Sequence, residues 1–201
     1  MKELLWLIVA LPFAGALILA IFGRRFPRVF HAVTGVASVG LSALLTLILG
    51  SRFLADPSPS LQIAWQWFDV MELAPSIGFY LDTVSMVFIF IITFVGALIH
   101  LYSVEFMWKE EGFSRFFVYM NLFVGLMLVL VLGDNLLLLY LGWEGVGMCS
   151  YLLIGFWYKN PANGYAARKA FIVTRVGDAA MAAGFYILFM TFHTLDIQEI
   201  L

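Results

Sequence analysis

Apolar residues in this chain come in long, nearly unbroken runs. Six of them reach the ~20 residues that a helix needs to cross about 30 Å of hydrocarbon. They lie at about 4–22, 30–50, 82–104, 114–132, 135–157 and 167–191, and each is predicted to be a transmembrane helix. Helices are expected because a bilayer leaves lone backbone groups unsatisfied, whereas a barrel would read as alternating segments of ~10 residues. The first run has the look of a signal peptide. However, "GRRFPR" follows it in place of a small-residue cleavage site, and more spans come after. It is read as a retained helix.

The longest connection, about 51–81, changes period. "DPSPS" breaks the helix before it. Leu61, Ile63, Trp65 and Trp67 then alternate with Gln62, Ala64 and Gln66, which is a strand pattern. "SIGFYL" offers a partner across a turn near Ala74–Pro75. A short β-hairpin at about 60–80 is predicted on the outer surface, its tryptophans at the interface; an aromatic loop anchored in headgroups is the alternative. The fold class is therefore an all-α integral membrane bundle of six transmembrane helices carrying this hairpin.

Composition supports the bilayer as solvent. Of 201 residues, 63% are hydrophobic and 12% charged, where a soluble domain would carry about a quarter charged residues. Mean hydropathy is +0.99. A net charge of −2 offers no basic field for nucleic acid. The cations alternate between connections. Arg24, Arg25, Arg28, Lys109, Arg115, Lys159, Arg168 and Lys169 gather at odd-numbered ones, which accounts for eight of the eleven basic residues. Lys2 and Arg52 lie on the opposite side, among Asp56, Asp69, Glu72, Asp82, Asp134, Asp196 and Glu199. Lys and Arg mark the inner side of a membrane, so both termini are expected outside.

Three charges remain inside spans. Glu144 lies nine residues into span five, about 14 Å deep, and Asp178 about 11 residues into span six, roughly 17 Å deep. The two spans run antiparallel across a short connection, so both carboxylates fall near the midplane. Arg175 precedes Asp178 by three residues and shares its helix face. A charge at this depth costs ~2.5–3.5 kcal/mol on insertion scales and persists only when it is paired or faces water. Desolvation favours the neutral carboxyl and a nearby cation favours the charged one. A carboxylate with a movable cation can therefore take up and release a proton.

Plainer readings stand beside this. Arg175 and Asp178 can form a structural ion pair, and losing Asp178 would then strand a buried cation. Glu144 has no cation in its own helix, so its partner comes from another helix or from water. Lys169, in the first turns of span six, is either that partner or a cation snorkelling to the surface. His100, near the inner end of span three, is a satisfied polar group or a proton relay. Gly142, Gly145 and Gly147 surround Glu144 and allow close helix approach and room for water. Cys149 is the only cysteine and cannot hold an iron–sulfur cluster. His31, His100 and His193 are far apart in sequence and only His100 falls inside a strongly apolar segment, which argues against bis-histidine haem ligation within this chain. No cofactor and no metal are expected on this chain.

The block "GDNLLLLYLGWEGVGMCSYLLIGFWY" (133–158), with "EEGFSRFFVYMNLF" (110–123) and "NGYAARKAFIVTRVGD" (163–178), resembles the largest antiporter-like membrane subunit of respiratory complex I. The resemblance covers the N-terminal third of such a subunit. It implies accessory N-terminal helices over 1–112, with the outer loop 51–81, and the first three helices of an antiporter-like inverted repeat over 113–201. It further implies proton translocation coupled to NADH:quinone oxidoreduction, in an energy-transducing membrane of the bacterial inner type. Glu144 matches a family Glu that pairs with a Lys from a later helix, and Arg175 and Asp178 match a supporting "TRVGD" motif. NADH, flavin, iron–sulfur clusters and quinone are implied on other subunits, and this chain has no redox centre of its own. Neighbouring membrane subunits, above all another antiporter-like one, are the implied partners. A non-pumping scaffold and a subunit of a related sodium/proton antiporter complex are the competing readings.

Overall fold

The computed structural model describes residues 5–23, 25–67 and 75–201. Six helices are long and apolar enough to cross a membrane: α1 (Leu5–Phe22), α2 (Arg28–Phe53), α3 (Thr83–Phe106), α4 (Phe113–Leu132), α5 (Leu136–Ile154) and α6 (Pro161–Phe192). A short helix, α7 (Ile197–Ile200), follows. The chain is a multi-pass membrane protein. Five spans fall close to their predicted limits. The sixth starts at Pro161, six residues ahead of the apolar run predicted from 167. Capping chemistry sets that start: the Asn160 side chain accepts from the Ala162 N–H at 3.0 Å, and Pro161 occupies a first-turn position whose N–H would have no partner anyway.

Between α2 and α3, β1 (Ser60–Gln66) and β2 (Ser76–Leu81) pair antiparallel, Leu61 opposite Tyr80 and Ile63 opposite Gly78, with an irregularity between Ile63 and Trp65. The hairpin is therefore present. Its turn, predicted near Ala74–Pro75, lies outside the described residues except for Pro75, whose carbonyl accepts from the Trp67 N–H at 3.0 Å. Leu61, Ile63, Trp65 and Trp67 are exposed, whereas Phe79 and Leu81 of β2 enter the core.

Helix α4 is the hub, packed against α1, α2 and α5. Its Phe113, Phe117, Leu128 and Leu132 are buried. Lipid tails are as apolar as leucine, so close fit and interhelical hydrogen bonds hold such a bundle together. Asn121 of α4 supplies them: its Nδ2 donates to the Gly35 carbonyl of α2 at 3.3 Å as well as to the Phe117 carbonyl of its own helix at 2.9 Å, and Ser38 Oγ of α2 donates to its Oδ1. Ser42 Oγ reaches across to the Ile8 carbonyl at 2.9 Å. Helix α6 packs chiefly on α5, and most of its surface is left uncovered.

The connections gather at two ends. At one, Arg28 donates to the Trp108 and Glu110 carbonyls, Trp157 Nε1 donates to Glu110 Oε2 at 3.0 Å, and Lys159 pairs with Glu111 at 2.7 Å. This is the basic end. At the other, the Asp134 N–H donates to the Gly78 carbonyl at 3.3 Å and the Ile197 N–H donates to the Asp134 carbonyl at 3.0 Å. The hairpin, the α4–α5 corner and α7 are thereby tied together.

Candidate functional site: carboxylates and a guanidinium between α5 and α6

Glu144 faces α6 because α5 lies close against α4 on its other side. A Cβ on Gly142 would meet the Leu130 Cα and N at 2.6 Å, and one on Gly145 would meet Leu126 Cδ2 at 2.5 Å. These two glycines therefore serve helix approach. Gly147, expected to do the same, faces open space with nothing within 4 Å of a Cβ.

Arg175 of α6 reaches across to Glu144 Oε2 and forms a direct ion pair. The same Nη1 lies 3.8 Å from Asp178 Oδ2, one turn along its own helix. Asp178 is buried and also accepts from Trp143 Nε1 at 2.7 Å. The guanidinium stacks over Phe171, its Cζ 4.5 Å from the ring centroid. One cation thus serves two carboxylates on neighbouring helices, and one of those carboxylates has a second, neutral donor in reserve.

Three of the five candidate residues, Glu144, Arg175 and Asp178, meet here. Lys169 does not: it is exposed, and the Glu144 ion pair is made by Arg175 instead. That corrects Lys169 as the partner of Glu144, since six residues along a helix carry a side chain well over one turn away. Losing Asp178 would not strand Arg175, because Glu144 still holds it. His100 is elsewhere, fully buried on α3, with Nδ1 donating to the Gly96 carbonyl at 2.8 Å. Its Nε2 has no hydrogen-bond partner among the described residues. Sequence reading missed Trp143 as a donor and Phe171 as the stacking face. A tryptophan at mid-span, away from the interfacial belts, needs an acceptor for its N–H, and Phe171 stands four residues before Arg175 on the same face.

Two family models match this chain: the N-terminus of chain 5 of NADH-ubiquinone oxidoreductase (complex I) over residues 67–117, and the transmembrane region of the NADH:quinone oxidoreductase/Mrp antiporter family over 133–201. The second match contains Glu144, Arg175 and Asp178. The chain belongs to this family of antiporter-like membrane subunits. It is 48% identical to NADH-quinone oxidoreductase subunit L of Escherichia coli over 98% of its own length and 32% of the relative's. It is 50% identical to the subunit of that name from Pseudomonas aeruginosa, over 99% of its own length and 33% of the relative's. The chain thus spans about a third of the length of these curated relatives. Among solved structures, the Mrp complex from Dietzia sp. DQ12-45-1b superposes with a TM-score of 0.80 at 25% identity, over 98% of this chain and 20% of that one. Within the family frame, the ion cluster lies on the α5–α6 pair, next to the uncovered face of α6.

Proposed function

We propose that this chain is part of a proton-translocating, antiporter-like membrane subunit of NADH:quinone oxidoreductase, and that Glu144 carries the proton. The observation that carries the reading is the guanidinium of Arg175 shared between Glu144 and Asp178 across two helices. With Arg175 on Glu144, the carboxylate stays ionised. When Arg175 turns toward Asp178, Glu144 is left in a low-dielectric setting without a cation and takes up a proton. Return of Arg175 expels that proton. Arg175 remains charged throughout, and Trp143 keeps Asp178 hydrogen-bonded in both positions.

Sequence relatedness and the ion cluster shared by the two helices support this reading together. It places residues 1–112 as accessory helices and 113–201 as the start of the antiporter-like repeat. It also places the basic end toward the cytoplasm of a bacterial inner membrane, with the hairpin and both ends of this segment outside. Redox cofactors and quinone then belong to other subunits of the complex, and neighbouring membrane subunits cover the open face of α6.

The test is proton uptake in vesicles holding the assembled complex with Glu144→Gln, measured beside NADH oxidation. The expected outcome is uptake reduced by an order of magnitude or more, a loss typical of a missing proton-transfer group, with the complex still assembled. Unchanged uptake would show Glu144 to be a polar contact in a scaffold. The likeness to the Mrp complex favours a second reading, sodium/proton exchange. In that case the same vesicles would move protons in response to a sodium gradient without NADH.

A further inference from the structure

A cavity of about 580 Å³ opens at the basic end, where α1 finishes and α2 and α4 begin; Gly23, Arg28, His31, Glu111, Ser114 and Arg115 are on its wall. His31 is only 5% exposed, yet among the described residues neither ring nitrogen has a hydrogen-bond partner. The Gly23 backbone lies near the ring but outside hydrogen-bond geometry. Arg115 Nε is also buried and unpartnered among the described residues. The rest of that guanidinium is fixed: Nη2 donates to the Phe156 carbonyl at 3.1 Å, and Cζ lies 4.9 Å from the Phe156 and Tyr158 ring centroids. Arg28 donates to the Trp108 and Glu110 carbonyls and has no carboxylate partner among the described residues. Among the described residues the single carboxylate on the wall, Glu111, is engaged by Lys159 at 2.7 Å.

Buried polar atoms in native proteins are almost always satisfied. Here the unsatisfied atoms are an imidazole and a guanidinium nitrogen, beside a second guanidinium. The N-terminus of α4, a helix of 20 residues whose N-cap Gly112 makes no side-chain cap, ends at the same cavity. Its first N–H groups and the helix dipole favour an anion. Phe22 at the end of α1, Phe26 in the connection, and Val29 and Val33 at the start of α2 stand 41%, 47%, 58% and 61% exposed. Phe22 and Val29 are chain neighbours of Gly23 and Arg28 on the wall, and exposed apolar surface at the same end of a membrane bundle as a basic cavity fits a headgroup with its acyl chains alongside.

We propose that this cavity binds the phosphate of an anionic phospholipid, with His31, Arg28 and Arg115 as its donors. The experiment uses the whole protein in its membrane complex, delipidated, placed in phosphatidylcholine nanodiscs and titrated with phosphatidylglycerol; retained lipid is read by native mass spectrometry. Phosphatidylglycerol is expected to be retained preferentially, and Arg28→Gln and His31→Leu are each expected to weaken retention about fivefold. Glu111→Gln alters an exposed side chain, so it keeps the fold and is expected to tighten retention by a similar factor. Equal retention of the two lipids, or three variants that all behave as wild type, would overturn the proposal. Displacement of phosphatidylglycerol by an equal concentration of inorganic phosphate would assign the cavity to a free anion and overturn the lipid assignment.

Discussion

Arg175 holds two carboxylates, so the effect of removing either one depends on the other. Glu144→Ala leaves the guanidinium 3.8 Å from Asp178, and Asp178→Ala leaves it on Glu144. The two single substitutions are therefore expected to lower the unfolding midpoint by comparable amounts. The double substitution strands a cation that cannot deprotonate and should exceed their sum by about 0.5–3 kcal/mol. Thermal unfolding of all three variants in nanodiscs checks this, and strict additivity would mean that the cation is not shared. Arg175→Lys keeps the charge but loses the planar fork that spans two acceptors. NADH-driven uptake in that variant is expected to lie between wild type and Glu144→Gln. Glu144 was legible in the sequence as a charge with no local partner. Its partner was not, because which cation reaches it depends on how α6 is rotated against α5.

The same dependence on helix approach governs the elements. Helix α5 can lie on α4 because Gly142 and Gly145 lack side chains, and at Gly142 the nearest atoms to a Cβ are Leu130 Cα and N, at 2.6 Å. Backbone cannot give way as a flexible side chain can. Gly142→Ala is therefore expected to cost about 1–3 kcal/mol through overpacking. Gly147→Ala meets open space and is expected to be neutral or to stabilise by up to about 1 kcal/mol through backbone entropy. Paired denaturation curves decide, and equal losses at both sites would refute the close approach. Hydropathy marked all six helices but did not separate these glycines, since a run of small residues looks the same whether it faces a neighbour or lipid.

Across the whole molecule, the two ends are held by different chemistry. The basic end relies on exposed pairs such as Lys159–Glu111, where hydrogen bonding and mutual charge lower the Glu111 value and raise that of Lys159. Such pairs add little stability in high dielectric. The opposite end relies on buried Asp134, which joins three segments. Burial pushes its carboxyl above the usual aspartate value, against the hydrogen bond from Ser76; Asp196 nearby pushes it up further, against the Asn135 bond. A raised value means that the folded state favours the protonated form. Its stabilising contribution is present below the ordinary value of 3.8 and is lost as pH rises through the elevated folded value. Asp134→Asn is thus expected to raise the unfolding midpoint at neutral pH, with the gain shrinking in acid. A gain that stays constant with pH would exclude the carboxyl's ionisation as its cause.

The sequence by itself determined the solvent, the six crossings, the hairpin's two strands and the presence of charges where charge is expensive. Each of those follows from local quantities: the length of an apolar run, its period, or a residue's depth along a helix. Tertiary structure decided the rest. It selected Arg175 over Lys169 for Glu144, gave Asp178 an indole donor from Trp143, placed His100 apart from the cluster and brought His31 and Arg115 to one cavity. These outcomes depend on the rotation and close approach of helices that are far apart in sequence, and hydropathy carries no information about rotation once every face of a helix is apolar.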